Sequence, residues 1–270
     1  MTLVQGLILG FLQGLTEFLP VSSSGHLVIG QTVLGISDSG VLFEVAVHVA
    51  TLASVLVVYR DRVGRLLVGA SRGDPGAWRY VGLLVLATIP AAAVGLLFGS
   101  RVEALFESPV AVGLALLVTG AVLWSTRWAH PTIDAAAPVS DAWSRGPTIG
   151  AALVMGIAQA FALVPGISRS GSTVVAALWV GVEVREAAAF SFLMAIPAIT
   201  GAAVLQLPEV SAGQLGPGRA ALVAGGLMAG VTGIAAIRIF LSMLRGGSFH
   251  HFGVYCWLAG GAFLLYLGLR

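Results

Sequence analysis

The stretch Leu9–His26, LGFLQGLTEFLPVSSSGH, begins as a membrane segment and then departs from one. Gln13 and Glu17 lie four residues apart in apolar sequence, Pro20 stops the helix, and Ser22, Ser23, Ser24, Gly25 and His26 follow. An ionisable residue at membrane depth is costly, so it marks a functional site by default. A second stretch, Met155–Thr173 (MGIAQAFALVPGISRSGST), repeats the plan with Arg169 among the serines. The two stretches are expected to meet and form one polar site inside a membrane.

The rest of the chain has the composition of that setting. Of 270 residues, 57% are hydrophobic and 10% charged, and the mean hydropathy is +0.97. Soluble domains carry roughly 25% charged residues, so a polytopic membrane protein is expected. All 14 basic residues are arginine. The net charge of +2 fits arginines in inside loops better than a nucleic-acid footprint, and no nucleic-acid partner is expected. The single cysteine, Cys256, lies in an apolar segment, which excludes a disulfide framework and a cysteine metal site. No basic region or small-residue cleavage site precedes Gln13, so no cleaved signal peptide is expected.

Crossing a bilayer as helix takes about 20 mostly apolar residues. Six stretches qualify: 41–59, 80–99, 109–126, 186–207, 219–241 and 252–269. The regions 1–37 and 147–180 are apolar but cut by Pro, Gly and serine clusters into shorter pieces. Such breaks are tolerated at membrane depth only where protein or a wet cavity covers them. Both regions therefore read as re-entrant helical hairpins. Arg60, Arg62, Arg65, Arg72 and Arg79, against Asp61 and Asp74, make the most basic loop, which the positive-inside rule puts in the cytoplasm. Arg101, Glu103 and Glu107 then fall outside, and Arg127–Arg145, Arg238 and Arg245 inside.

An internal repeat is also legible. An offset of 146 residues superposes Gly10 on Gly156, Gln13 on Gln159, Ser22 on Ser168, Ser24 on Ser170 and Gly25 on Gly171. Phe43 pairs with Phe190 at 147, and Gly113 and Gly120 with Gly253 and Gly260 at 140. The expected architecture is all-α: one membrane domain over 1–270, built of repeats at about 1–128 and 147–270. Each repeat holds one hairpin and three spans, an odd number, so the second must be inverted. Broken segments in matching positions of inverted halves point to a midplane site.

The residues of the two stretches suggest its chemistry. Glu17 could be a carboxylate at a helix end, but Gln13 shares its helix face and makes a polar stripe there. Glu17 can hold a divalent cation through oxygen ligation or accept a proton. His26 could cap a helix; beside Ser22, Ser23 and Ser24 it also makes a serine–histidine arrangement for nucleophilic attack or phosphate binding. Arg169 between apolar helices needs an anion. Ser168, Ser170, Gly171, Ser172 and Thr173 around it, with a helix opening at about 173–180, supply an anion site. A guanidinium matches phosphate oxygens. A buried Arg169–Glu17 ion pair joining the halves is compatible with that role in the empty protein. Glu44 and His48, four apart on the next segment, could flank the cavity or simply pair within their helix. Trp124, Trp128 and Tyr255–Trp257 fit interfacial belts or packing.

These motifs resemble the bacterial undecaprenyl-diphosphate phosphatase family of the bacitracin-resistance type. The (Glu/Gln)-x-x-x-Glu motif is Gln13–Glu17, running on into FLPVSSSGH, and Pro-Gly-x-Ser-Arg-Ser-x-x-Thr is Pro165–Thr173. Gln13 stands where some members carry a second glutamate. The resemblance covers essentially the whole chain. It implies a multi-pass plasma-membrane enzyme that hydrolyses the C55 isoprenoid diphosphate to the monophosphate, recycling the carrier for cell-wall polymers. It also implies a divalent cation (magnesium or calcium) and a site open to the extracytoplasmic side. Glu17, Ser23, His26, Arg169 and Thr173 would be the functional set, with Glu17 holding the metal or accepting a proton. Gln13, Ser22, Ser24, Ser168 and Ser170 would line the substrate site with Thr173. Ser23 or His26 is the nucleophile, or the two orient a water. Membrane lipids and a second copy of the chain are the remaining expected partners.

Two other readings meet this one. The second membrane phosphatase superfamily carries Ser-Gly-His and Ser-Arg-x5-His motifs; Ser24-Gly25-His26 imitates the first, but Val175 stands where the second needs its histidine. A polyprenyl-phosphate transporter would share the inverted repeat and broken helices.

Overall fold

A computed structural model describes residues 1–36, 40–129, 146–211, 218–245 and 248–269. The described residues are helical, with no strand among them. The first half runs α1 (Leu3–Phe18), α2 (Ser23–Leu34), α3 (Val41–Val58), α4 (Arg60–Ser71), α5 (Pro75–Phe106) and α6 (Pro109–Trp124), closed by the 3₁₀ turn Ser125–Trp128. The second runs α7 (Ile149–Phe161), α8 (Arg169–Trp179), α9 (Val184–Ser211), α10 (Arg219–Arg245) and α11 (His251–Gly268).

Six of these are long and apolar enough to cross a membrane: Val41–Val58, Pro75–Phe106, Pro109–Trp128, Val184–Gln206, Arg219–Leu244 and His251–Gly268. The chain is a multi-pass membrane protein. The six expected stretches each fall on one of them, and the two short-helix pairs, α1–α2 and α7–α8, fall on the two broken regions. The structure adds length and one element. The second span starts five residues earlier than hydropathy suggests, because Asp74 caps the helix: its Oδ1 accepts from the Gly76 and Ala77 amides at 2.8 and 3.4 Å, and Pro75 follows at the first position. The basic loop is not simply a loop, since Arg60–Ser71 forms α4. Of the segments assigned to the inside, Arg145 and the Arg245 side chain lie outside the described residues.

Close helix approach sets the frame. On α1, a Cβ added to Gly6, Gly10 or Gly14 would meet backbone oxygens of α10 (Ala221, Gly225, Ala229) at 2.7, 2.2 and 2.3 Å. Small residues four apart make the seam that lets two helix backbones touch in lipid. On α7, Gly156 meets the Ala87 carbonyl of α5 in the same way, at 2.6 Å. Thus α1 leans on α10 and α7 on α5, while α3 packs on α10 and α9 on α5. Between α6 and α11 the contacts are crossed: Gly113 faces Gly260 and Gly120 faces Gly253.

The apolar side chains follow this frame. Phe18, Tyr80, Leu123, Met155, Phe190, Phe192 and Phe240 form the main core, and Leu9, Phe43 and Val47 a second one. Leu96, Leu97 and Leu258 point outward, 70, 75 and 69% exposed. One buried ion pair ties α4 to α9: an Arg62 terminal nitrogen donates to both Glu186 carboxylate oxygens at 2.7 and 2.6 Å, and the Tyr80 hydroxyl donates to Glu186 Oε1 at 2.9 Å.

Candidate active site

Each short-helix pair breaks at its proline region, and the two breaks touch. Helix α1 ends at Phe18, and after Leu19, Pro20 and Val21 the chain restarts at Ser22, the N-cap of α2. Ser22 is the one non-glycine residue with positive φ (70°) among the described residues. Such strain persists where surroundings fix it. Here the Ser22 Oγ accepts from the Gly25 amide at 3.2 Å, and its carbonyl receives both the His26 amide at 3.1 Å and His26 Nδ1 at 2.8 Å.

The second break has a parallel design. Ser168 caps α8 through the Gly171 amide at 3.1 Å, so the helix opens at Arg169, four residues before the expected 173–180. Arg169, Ser170, Gly171 and Ser172 are therefore its first turn rather than its approach. Gly166, at φ 96°, fits under α6, where a Cβ would meet the Val112 carbonyl at 2.6 Å. Thr119 of α6 fixes this tip by donating to the Gly166 carbonyl at 2.7 Å and accepting from the Ser168 amide at 3.1 Å. Across the junction, the Gly166 amide donates to Ser24 Oγ at 3.3 Å and Ser170 Oγ to the Leu19 carbonyl at 3.4 Å.

Glu17 is the centre of the arrangement. Its Oε1 accepts from Arg169 Nη2 at 2.6 Å; its Oε2 accepts from Ser23 Oγ at 2.5 Å and from Gln13 Nε2 at 3.0 Å. The Glu17 and Arg169 side chains are only 6 and 16% exposed. The ion pair foreseen between the halves is therefore present. Two polar atoms beside it have no partner, although both are buried: Arg169 Nη1 and Gln13 Oε1. A buried unpaired donor on a guanidinium is costly in isolation and is the natural place for a ligand oxygen.

Other expected residues sit differently. The serine–histidine pair does not form: Ser23 donates to Glu17, and His26 turns to Ser22 and Tyr255. Thr173 is fully buried, its hydroxyl on the Arg169 carbonyl at 2.8 Å and on Ser191 Oγ of α9 at 2.6 Å. Ser168 Oγ and Ser170 Oγ lie 3.4 Å apart, Ser22 Oγ and Ser24 Oγ 3.2 Å apart. Gln159, the repeat partner of Gln13, points instead at the Ala87 carbonyl, 3.4 Å away. His48 reaches the site's rim: its Nε2 is 4.0 Å from Glu17 Oε2 and its Nδ1 donates to the Glu44 carbonyl at 2.7 Å. Thr119, Ser191 and Tyr255 were not foreseen. Tyr255, assigned to a belt, places its hydroxyl in hydrogen-bond contact with His26 Nε2 at 2.8 Å. Only three-dimensional packing brings it there, 229 residues away in sequence.

A divalent cation was expected on Glu17. Among the described residues no three His, Cys, Asp or Glu side chains stand together as a metal cage. What is present is one carboxylate with the orphaned Gln13 Oε1 beside it. Two hard oxygen donors fit an ion that keeps water and phosphate oxygens as its remaining ligands.

Comparison with known proteins places the chain in a family. The profile of the family described as bacitracin resistance protein BacA matches residues 6–262. The undecaprenyl-diphosphatase of Desulfatibacillum aliphaticivorans is 40% identical over 274 residues, covering 96% of each chain. That of Syntrophotalea carbinolica is 41% identical over 267 residues, covering 97% of this chain and 98% of its own. That of Korarchaeum cryptofilum is 39% identical over 277 residues, covering 98 and 99%. The chain belongs to the bacitracin resistance protein BacA family.

Proposed function

We propose that this chain hydrolyses undecaprenyl diphosphate to undecaprenyl phosphate and inorganic phosphate, and that the paired hairpin tips are its active site. The observation that carries the site assignment is Arg169, whose Nη1 is buried without a partner while Nη2 holds Glu17. A diphosphate oxygen satisfies Nη1 directly, and the first turn of α8 adds amides and a favourable dipole. Gln13, Ser22, Ser24, Ser168, Ser170 and Thr173 are proposed to shape the polar cradle around the diphosphate, Thr173 by holding the α8 turn.

Ser23 is the proposed nucleophile. Its proton passes to Glu17 Oε2, to which it is already hydrogen-bonded at 2.5 Å, and Oγ attacks the terminal phosphorus. The bond to the bridging oxygen breaks with its electron pair on undecaprenyl phosphate. Arg169 stabilises the charge on the transferred group, the usual main contribution in phosphoryl transfer. Water then cleaves the phosphoserine. His26 stands one turn along α2 and shapes the same tip. Glu17 and Gln13 Oε1 are proposed to hold a magnesium or calcium ion together with the substrate, where the ion would neutralise diphosphate charge.

The site is proposed to open to the extracytoplasmic side of the bacterial plasma membrane, with α4 and its arginines in the cytoplasm, and the polyprenyl tail among apolar helices. Lipid or a second copy of the chain would cover the outward faces. An inverted repeat over about 1–128 and 147–270, in a single membrane domain, is part of this reading. Its support is the crossed glycine contacts: Gly113 and Gly253 are repeat equivalents, as are Gly120 and Gly260, and each touches the other's partner. A twofold axis between antiparallel α6 and α11 gives that pattern. Transport without hydrolysis is not favoured, because the relatives are named as diphosphatases. The test is phosphate release from undecaprenyl diphosphate by the purified, detergent-solubilised protein: hydrolysis is expected, with loss on chelation of divalent ions. A protein that binds the lipid and releases no phosphate contradicts the reading.

A further inference from the structure

We propose that Tyr255 is a positioning residue for His26, supplied to the first hairpin tip by the last helix of the chain. The inference rests on the tips being the phosphatase site.

For a neutral His26 ring the hydrogen-bond directions leave one solution. The Ser22 carbonyl can only accept, so the His26 Nδ1 at 2.8 Å from it carries a proton. In the neutral ring Nε2 is then an acceptor, and the Tyr255 hydroxyl at 2.8 Å is its donor. The two rings also stack, with centroids 5.7 Å apart and planes within 10°. Tautomer, ring plane and rotamer of His26 are all set by these two partners. A histidine held only at Nδ1 would leave the Nε2 side of its ring without a hydrogen-bonded anchor.

The neighbours of Tyr255 explain how a residue on α11 can do this. Cys256 Sγ lies 3.8 Å from the Pro20 carbonyl, in the break of the first hairpin. Trp257 Nε1 donates to the Leu117 carbonyl of α6 at 3.1 Å. The close Gly113–Gly260 and Gly120–Gly253 approaches hold α11 on α6 from either side. Residues 255–257 thus grip His26, the Pro20 break and α6 in succession. With Nε2 occupied by Tyr255 and Ser23 bound to Glu17, His26 is not the base for Ser23 in this arrangement. Its imidazole is a fixed wall beside the nucleophile, and Tyr255 keeps it fixed.

Tyr255→Phe keeps the stacked ring and deletes the hydroxyl. One neutral hydrogen bond is worth about 1 kcal/mol, so kcat with undecaprenyl diphosphate should fall about three- to tenfold with KM essentially unchanged. In a His26→Ala background the same change should cost nothing further, because residues that act through one another are not additive. Independently of turnover, ¹⁵N spectra of the histidine-labelled full chain in detergent should show the His26 Nε2 resonance move in Tyr255→Phe. Wild-type kcat in Tyr255→Phe, an equal further loss in the His26→Ala background, or an unmoved Nε2 resonance overturns the proposal. Absence of phosphate release by the wild type would instead sink the enzymatic reading, while the spectra still judge the Tyr255–His26 link.

Discussion

Replacing the Glu17–Arg169 pair one member at a time, and then together, separates what holds the halves from what does the chemistry. Removing one partner of a buried ion pair costs about 3–5 kcal/mol, because the other charge stays buried. The two singles should differ. In Arg169→Met, Glu17 still accepts from Gln13 and Ser23, which places the cost near the lower end, about 3 kcal/mol. In Glu17→Gln, Arg169 keeps its charge, its Nη1 already lacks a partner, and its side chain is 16% exposed; the cost should approach about 5 kcal/mol. For a chain of this size, 1 kcal/mol corresponds to about 2–4 °C in Tm. The double variant removes both charges and should lie within a few degrees of wild type. Unfolding followed by tryptophan fluorescence in one detergent reads all four proteins, and phosphate release reads their activity. The expected result is that the double variant recovers stability and remains inactive. A double variant destabilised by the sum of its singles would refute the reasoning.

Three further outcomes follow from the packing and topology. Gly10→Val should collapse the yield of folded protein, since its Cβ would sit 2.2 Å from the Gly225 carbonyl, while Gly82→Ala, with nothing within 4 Å, should leave the unfolding midpoint nearly unchanged. Glu186→Gln should lower the thermal midpoint by removing the charge that pairs with Arg62 and one of its two acceptor oxygens, yet leave phosphate release per folded molecule close to wild type; comparable loss of turnover would place this cluster in the reaction. A cysteine at Ser71, in a Cys256→Ala background, should resist membrane-impermeant maleimide on intact cells and react after permeabilisation; ready labelling from outside reverses the orientation.

Much of this molecule was legible before folding because lipid makes a simple demand. Spans need length and apolarity, so α3, α6 and α9–α11 could be bounded within a few residues. Polar residues at that depth need partners, so Glu17, Gln13 and Arg169 announced a site, and their pairing at 2.6 Å was foreseeable. Partner choice was less legible. Ser23 lies three residues from His26, which made a serine–histidine pair attractive, but the α2 turn sends Ser23 to Glu17 and leaves His26 to Tyr255. Hydropathy treats Tyr255 as a belt residue because it sees neither helix rotation nor neighbours far away in sequence. The basic segment likewise concealed α4, because Arg60–Ser71 is too short and too charged to read as a span. Thr119 is a single hydroxyl in an apolar span; only the tip beneath it reveals its purpose.

The central claim is that one site is assembled from both tips, and single-turnover phosphate release from undecaprenyl diphosphate tests it most directly. Glu17→Ala and Ser23→Ala alter the first tip, Arg169→Ala the second. Removing one such transition-state group commonly costs about 10²–10³ in rate, and all three folded variants are expected to lose at least that much. Wild-type rates in Arg169→Ala, or in both first-tip variants, would contradict the account.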